Sequence, residues 1–184
     1  MKTEDLDFAY PYELIAQAPR SPSRIMWVSK TTEKEINKQE LLDQFAVGDM
    51  LVINDTKVLK RRVFSQEKLE VLFINEFEPN TWEVLFPSSR VRENQKINLP
   101  EFVEMELFRS GRPQIVRVSK SLTADYFLRN GELPLPPYIQ KSRAERHNRT
   151  SDHAEYQTAW AEKPGSLVAP TASFHFDQEN LEYL

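Results

Sequence analysis

Apolar and polar positions change their rhythm twice along the chain. Up to about residue 60, helical and strand-like spacings alternate. Arg24–Lys30 (RIMWVSK) is an apolar, strand-compatible run. Lys38–Phe45 places Leu41, Leu42 and Phe45 at the spacing of one helix face. Gly48 stands where that helix would stop, and Met50–Asn54 (MLVIN) follows as a continuous apolar run of the kind that forms a buried strand. Tyr12–Gln17 predicts one helical turn closed by Pro19 and Pro22.

Between about 58 and 120 the texture becomes short strands. Val58–Ser65, Lys68–Asn75, Thr81–Phe86, Lys96–Leu99, Phe102–Arg109 and Gln114–Ser119 follow one another, a pattern that predicts a small antiparallel barrel or sandwich. In FVEMELFR, Val103, Met105 and Leu107 alternate with Glu104, Glu106 and Phe108. Ser110-Gly111-Arg112-Pro113 reads as the hairpin turn that follows. Helical texture then returns: Ser121 is an N-cap candidate for a helix to Asn130, with Gly131 as the residue past its end. Residues 140–153 are polar throughout and read as a solvated loop or, alternatively, an RNA-phosphate contact segment. Asp152 and Glu155 predict a capping box for a helix that carries Tyr156 and Trp160, and Asp177 caps a last amphipathic stretch with Leu181 and Leu184.

Composition removes several chemistries. The chain has 184 residues, 4 glycines and no cysteine. Gly48, Gly111, Gly131 and Gly165 are scattered, which excludes the clustered glycines of dinucleotide and Walker loops. Absence of cysteine removes disulfides, thiolate metal sites and cysteine nucleophiles. His147, His153 and His175 lack metal-ligand spacing, so no metal is expected. The formal net charge of -4 advertises no global attraction to nucleic acid, although a local basic surface can still provide it. The acidic N-terminus has no apolar leader and no run is long enough for a membrane span, so a cytoplasmic location without membrane contact is expected.

Three constellations carry possible chemistry. Asn54-Asp55-Thr56-Lys57 follows the predicted strand MLVIN, where open α/β folds place their sites; the bland reading is an Asx turn. Leu133-Pro134-Leu135-Pro136-Pro137-Tyr138-Ile139 is a stiff extended segment, either a docking ligand or a connector. Tyr156-Gln157-Thr158 with Ala169-Pro170-Thr171-Ala172-Ser173-Phe174-His175-Phe176 combines small residues with a hydroxyl and an imidazole, though a histidine between two phenylalanines is often simply packed.

Taken in order, Asp5–Phe8 with Pro11–Ala16, Ser23-Arg24, Gly48–Val58, Leu133–Ile139, Tyr156–Thr158 and Ala169–Ala172 resemble the S-adenosylmethionine:tRNA ribosyltransferase-isomerase family of queuosine biosynthesis. The resemblance runs from about residue 4 to the last residue and implies only the family's N-terminal half, because its members are roughly twice as long. Two motifs depart from the family pattern. Ser173 and Phe174 stand where Gly and Leu are usual, and in Leu59-Lys60-Arg61-Arg62-Val63 only Arg62 matches the family's I-P-A-R-L arginine.

The resemblance implies that the ribosyl part of S-adenosylmethionine is moved to a 7-deazaguanine base in tRNA and isomerised, without a metal. It implies an α/β domain, a partial and distorted barrel, over 1–60 and 131–184, apparently truncated at its C-terminus. A small antiparallel β-barrel would be inserted over 61–130. On this reading Asp55 and His175 are the proton-transfer candidates. Arg24, Asn54, Thr56, Arg62, Tyr138, Tyr156, Gln157 and Thr171 would bind substrate. The alternative is a truncated, non-catalytic homologue that binds RNA or protein. Such a module would need a homodimer or a partner supplying the missing half, since half an α/β barrel leaves strand edges open.

Overall fold

The computed structural model describes residues 2–16, 18 and 22–184. Its largest element is a seven-stranded antiparallel sheet built almost wholly from the middle of the chain. The strands are β4 (Arg62–Phe64), β5 (Glu70–Glu78), β6 (Thr81–Leu85), β7 (Lys96–Leu99), β8 (Val103–Arg109), β9 (Gln114–Val118) and β10 (Gly131–Glu132), in the order β10-β4-β5-β6-β9-β8-β7. Register shifts within the β5–β6 and β8–β9 pairs bend the sheet. The Gln66 N–H, in the β4–β5 turn, donates to the Asn98 carbonyl of β7 at 2.8 Å, so the sheet curls until its far strand approaches its beginning.

Alternation decides which face is covered. Val71 and Phe73 of β5, Trp82 and Val84 of β6, Met105 and Leu107 of β8 and Val116 of β9 all point into one core. Helix α2 (Ala124–Asn130) closes it with Tyr126 and Phe127. Phe73, Trp82 and Phe127 meet edge-to-face with centroids 5.4 to 5.5 Å apart, a geometry that aligns ring edges with ring faces. The Arg61 guanidinium lies over Trp82 and Phe127, and burial pulls its pKa down.

The remaining elements are small. β1 (Ile25–Val28) and β2 (Glu33–Ile36) form a hairpin. Helix α1 (Lys38–Leu42) is capped reciprocally: Asn37 Oδ1 accepts from the Glu40 N–H, and the Glu40 carboxylate from the Asn37 N–H. β3 (Thr56–Val58) pairs in parallel with β11 (Lys163–Ser166). The molecule is therefore a mixed α/β protein. No helix among the described residues is long and apolar enough to cross a membrane.

Several local expectations are corrected. Met50–Asn54 is not a buried strand: Met50, Leu51, Val52 and Ile53 are 86%, 47%, 84% and 42% exposed, and pairing begins only at Thr56. Its apolar pattern is strand-like, but no described strand lies beside it. The stretch from Val58 to Ser65 is two strands, broken at 59–61. The α2 cap is Thr123 rather than Ser121, since the Thr123 hydroxyl accepts from the Tyr126 N–H at 3.3 Å. This leaves Leu122 before the cap and Phe127 in the first turn, both in the core, as a hydrophobic staple. Tyr12–Leu14 is a short 3-10 turn, while Gln17 and Pro19 lie outside the described residues.

Gly131 is extended rather than left-handed. Its need for glycine is steric: a Cβ there would collide with the Lys60 carbonyl oxygen and lie 2.6 Å from that of Phe127. Both obstacles are backbone and cannot rotate away. Gly131→Ala is expected to cost about 3 kcal/mol in urea denaturation, at the upper end of overpacking penalties.

Glu101 joins the β7–β8 connection to α2. Arg129 donates to it from Nε and Nη2 at 2.8 and 3.1 Å, and Asn130 at 2.8 Å. Arg129 foremost holds its pKa at about 2, against an ordinary value of 4.5. A depressed carboxyl stabilises the fold above its unfolded pKa, and that contribution is lost as pH falls through its folded value. Arg129→Met is therefore expected to flatten the loss of stability between about pH 4.5 and pH 2 in acid denaturation curves.

Candidate functional site

The segment after β10 builds the site. Leu133 to Pro136 stays extended with Leu133 and Leu135 buried, and Pro137 opens helix α3 (Pro137–Arg143), where a missing N–H costs nothing. The stiff connector thus ends in a helix that presents Tyr138. Arg143 at its end is buried against Asp152, which opens the single turn α4 (Asp152–Glu155). Arg143 Nη1 donates to both Asp152 carboxylate oxygens at 2.7 and 3.0 Å, and the Arg149 N–H adds a third hydrogen bond at 2.8 Å.

This pairing corrects two expectations. Residues 140–153 are not a wholly solvated loop, because Arg143 and Asp152 satisfy each other inside the protein. Asp152 is no capping residue, and the helix stops at Glu155 before reaching Trp160.

Two large cavities flank this segment. One, of about 1010 Å³, is bounded by Tyr138, Glu155, Tyr156, Thr171 and His175, with Ser23, Tyr10 and Leu14 also in its lining. The other, of about 1350 Å³, has Arg62, Tyr138, Tyr156 and Thr171 in its wall. Tyr138, Tyr156 and Thr171 border both. Tyr156 packs edge-to-face on Phe174 at 5.7 Å, and burial raises the pKa of its hydroxyl. His175 Nδ1 and the Ser23 hydroxyl share a 2.9 Å hydrogen bond. Glu155, which sequence spacing assigned to a cap, instead faces the first cavity and has a buried carboxylate oxygen, Oε2, without a hydrogen-bond partner.

Five other candidate residues lie outside both cavities. Arg24 is exposed on the β1–β2 hairpin and pairs with Glu35 at 2.7 Å. Asn54 Oδ1 accepts from the Thr56 N–H at 2.9 Å and from its hydroxyl at 2.6 Å, the geometry of an Asx turn. Asp55 pairs with Lys163 Nζ at 2.5 Å, and its carbonyl receives the Glu162 and Lys163 N–H groups. Gln157 uses its side-chain amide as a peptide group, donating to the Val58 carbonyl and accepting from the Val58 N–H, both at 2.9 Å. Together these contacts pin β3 beside β11.

Comparison with known proteins bears on this arrangement. A family model described as queuosine biosynthesis protein matches residues 3–184. The chain belongs to that family. It is 35% identical over 199 residues to the S-adenosylmethionine:tRNA ribosyltransferase-isomerase of Staphylococcus epidermidis, an alignment covering 98% of this chain and 55% of the relative. To the Sulfurihydrogenibium protein of the same name it is 36% identical over 196 residues, with 99% and 56% covered. A crystal structure of S-adenosylmethionine tRNA ribosyltransferase from Thermotoga maritima aligns with a TM-score of 0.35 and 24% identity, over 76% of this chain and 53% of that one. The chain spans about half the length of the curated relatives it matches.

In this queuosine-family chain the buried Arg143–Asp152 pair fixes the angle between α3 and α4, hence between Tyr138 and Tyr156. Removing one partner strands the other charge. Arg143→Ala is expected to lower stability by about 3–5 kcal/mol in urea denaturation. The paired replacement Arg143→Met with Asp152→Leu should cost far less, because neither charge then remains buried.

Proposed function

We propose that the chain carries the N-terminal share of an S-adenosylmethionine:tRNA ribosyltransferase-isomerase. Its substrates are then S-adenosylmethionine and a tRNA bearing a 7-deazaguanine base, and its site lies along the wall between the two cavities. The observation that carries this reading is the convergence of Tyr138, Tyr156 and Thr171, drawn from three separate segments, on a wall common to both spaces. Identity of about a third across nearly the whole chain supports the same reading.

The first cavity suits a nucleoside sulfonium. It combines aromatic rings with the His175–Ser23 pair, and its volume falls at the top of the usual small-ligand range of roughly 300–1,000 Å³. His175 is the better-placed proton-transfer candidate, because it reaches the cavity while Asp55 is engaged with Lys163. Arg62 and Tyr138 then serve the nucleic-acid side, and the β3 junction held by Asn54, Thr56 and Gln157 supports the wall. Residues 61–130 form the inserted barrel domain in this proposal, and a cytoplasmic location follows from the tRNA substrate.

A specific observation also favours the second reading, a binding module completed by a partner or a second copy. Met50 to Ile53 form an exposed apolar segment that pairs with no strand among the described residues.

Incubation of the chain with S-adenosylmethionine and precursor-bearing tRNA, read out by released adenine, tests the proposal. Release is expected, and His175→Ala should lower it by about 100-fold or more, the contribution typical of a positioned acid or base. Absence of release at high protein concentration would exclude the chain as an enzyme on its own.

A further inference from the structure

The single turn α4 leaves one charge unmatched. Its last residue, Glu155, borders the first cavity beside Tyr156. Its oxygen Oε2 is closed off from solvent and unpartnered, and no described residue donates a hydrogen bond to Oε1. The neighbouring cations are engaged elsewhere. Arg143 holds Asp152 at 2.7 Å, and Arg149 holds Glu145 through Nε and Nη2 at 2.7 and 3.1 Å. Within the cavity lining, Lys38 lies 3.4 Å from Asp177, so those two charges offset each other. Glu155 is then the uncompensated carboxylate among the described lining residues.

A carboxylate partly withdrawn from water without a counter-charge is costly, and a cation arriving in the cavity offsets that cost. The backbone that carries it is fixed, since Asp152 is buried in its ion pair and the Glu155 N–H donates to the Ser151 carbonyl at 3.0 Å. The surroundings select the kind of cation. Tyr10, Tyr138, Tyr156, Phe174 and Phe176 line the same space, and ring faces attract weakly hydrated, alkylated cations. An ammonium would bring three N–H donors that each need an acceptor. A sulfonium has no donor at its charged centre and asks only for negative potential at close range. That potential is strong here because one oxygen is shielded from water.

We propose that Glu155 is the specificity-determining residue through which the first cavity selects the sulfonium charge of S-adenosylmethionine over neutral thioethers of the same shape. The ligand's identity rests on the reading of that cavity given above; the unmatched carboxylate does not. Transfer of a group from a sulfonium carbon leaves the C–S bonding pair on sulfur, which becomes a neutral thioether. Glu155 therefore retains the substrate and lets the thioether go. Its attraction is strongest before transfer, so its loss raises KM more than it lowers kcat.

Isothermal titration calorimetry on the full chain tests this with two pairs of ligands. S-adenosylmethionine and S-adenosylhomocysteine share an amino-acid tail and differ by one methyl and one charge on sulfur. Methylthioadenosine and its S-methylated sulfonium differ in the same way and lack the tail. The wild type should prefer the cation in both pairs by on the order of tenfold, the low end of measured couplings between close charges. Glu155→Gln keeps the shape and removes the charge. It should abolish both preferences and leave the affinity for methylthioadenosine unchanged, while Glu155→Asp restores part of each preference.

Survival of both preferences in Glu155→Gln would overturn the proposal. So would an equal loss of S-adenosylmethionine and S-adenosylhomocysteine, because the carboxylate would then read their shared ammonium. Loss of methylthioadenosine along with the rest would assign Glu155 a structural role instead. Failure of the wild type to bind any of the four would overturn both this assignment and that of the cavity. A charge preference that depends on Glu155, in a chain that releases no adenine, would sustain the assignment and sink the enzymatic reading. Adenine release with the preference intact in Glu155→Gln would do the reverse.

Discussion

The Arg62–Glu132 pair is the contact on which the rest of the molecule depends. Arg62 on β4 and Glu132 on β10 stand opposite each other in register, so the ion pair joins the strand where the chain enters the large sheet to the strand where it leaves. Glu132 also accepts from the Asn148 N–H at 2.9 Å and meets His147 Nδ1 at 2.7 Å, which draws the segment after α3 onto the same point. The sheet, the proline-rich wall and the α3–α4 turn therefore share one electrostatic anchor, in which Arg62 is buried and Glu132 is partly exposed. A pair removed from water in this way contributes less to net stability than to fixing one arrangement, since desolvation offsets much of the attraction. Here the arrangement it fixes is the relative position of the two cavities.

The parts of the fold that were legible in the sequence are those whose information is local. Apolar runs bounded by turn residues locate the strands between Lys68 and Ser119 to within about three residues at each end. Met50–Asn54 departs from its pattern because a buried strand is defined by its neighbours, and an apolar run specifies only the need for them. The polar stretch 140–153 departs from its pattern for the opposite reason. Arg143 and Asp152 look solvated one at a time, and their burial depends on a pairing nine residues apart that composition does not encode.

The candidate site divides along the same line. Tyr138, Tyr156, Thr171 and His175 sit in motifs whose order resembled one family, and the structure gathers them around one cavity. Asn54, Asp55, Thr56 and Gln157 belong to equally recognisable motifs, yet their side chains hold a parallel strand pair together. A motif marks a place where substitution is costly. Only geometry separates the cost of lost backbone pairing from the cost of lost chemistry.

Antiparallel pairing of β4 with β10 carries one more consequence. Neighbouring strands lie about 4.8 Å apart, so the chain leaves the sheet beside the point at which it entered. A segment whose ends are neighbours can be lengthened, exchanged or excised during evolution without moving the parts it interrupts. The same adjacency would let residues 61 to 132 be closed into a ring by a very short linker. In that sense the seam that fixes the two cavities is also a recombination joint: it lets one half of the cleft vary while the other keeps its shape.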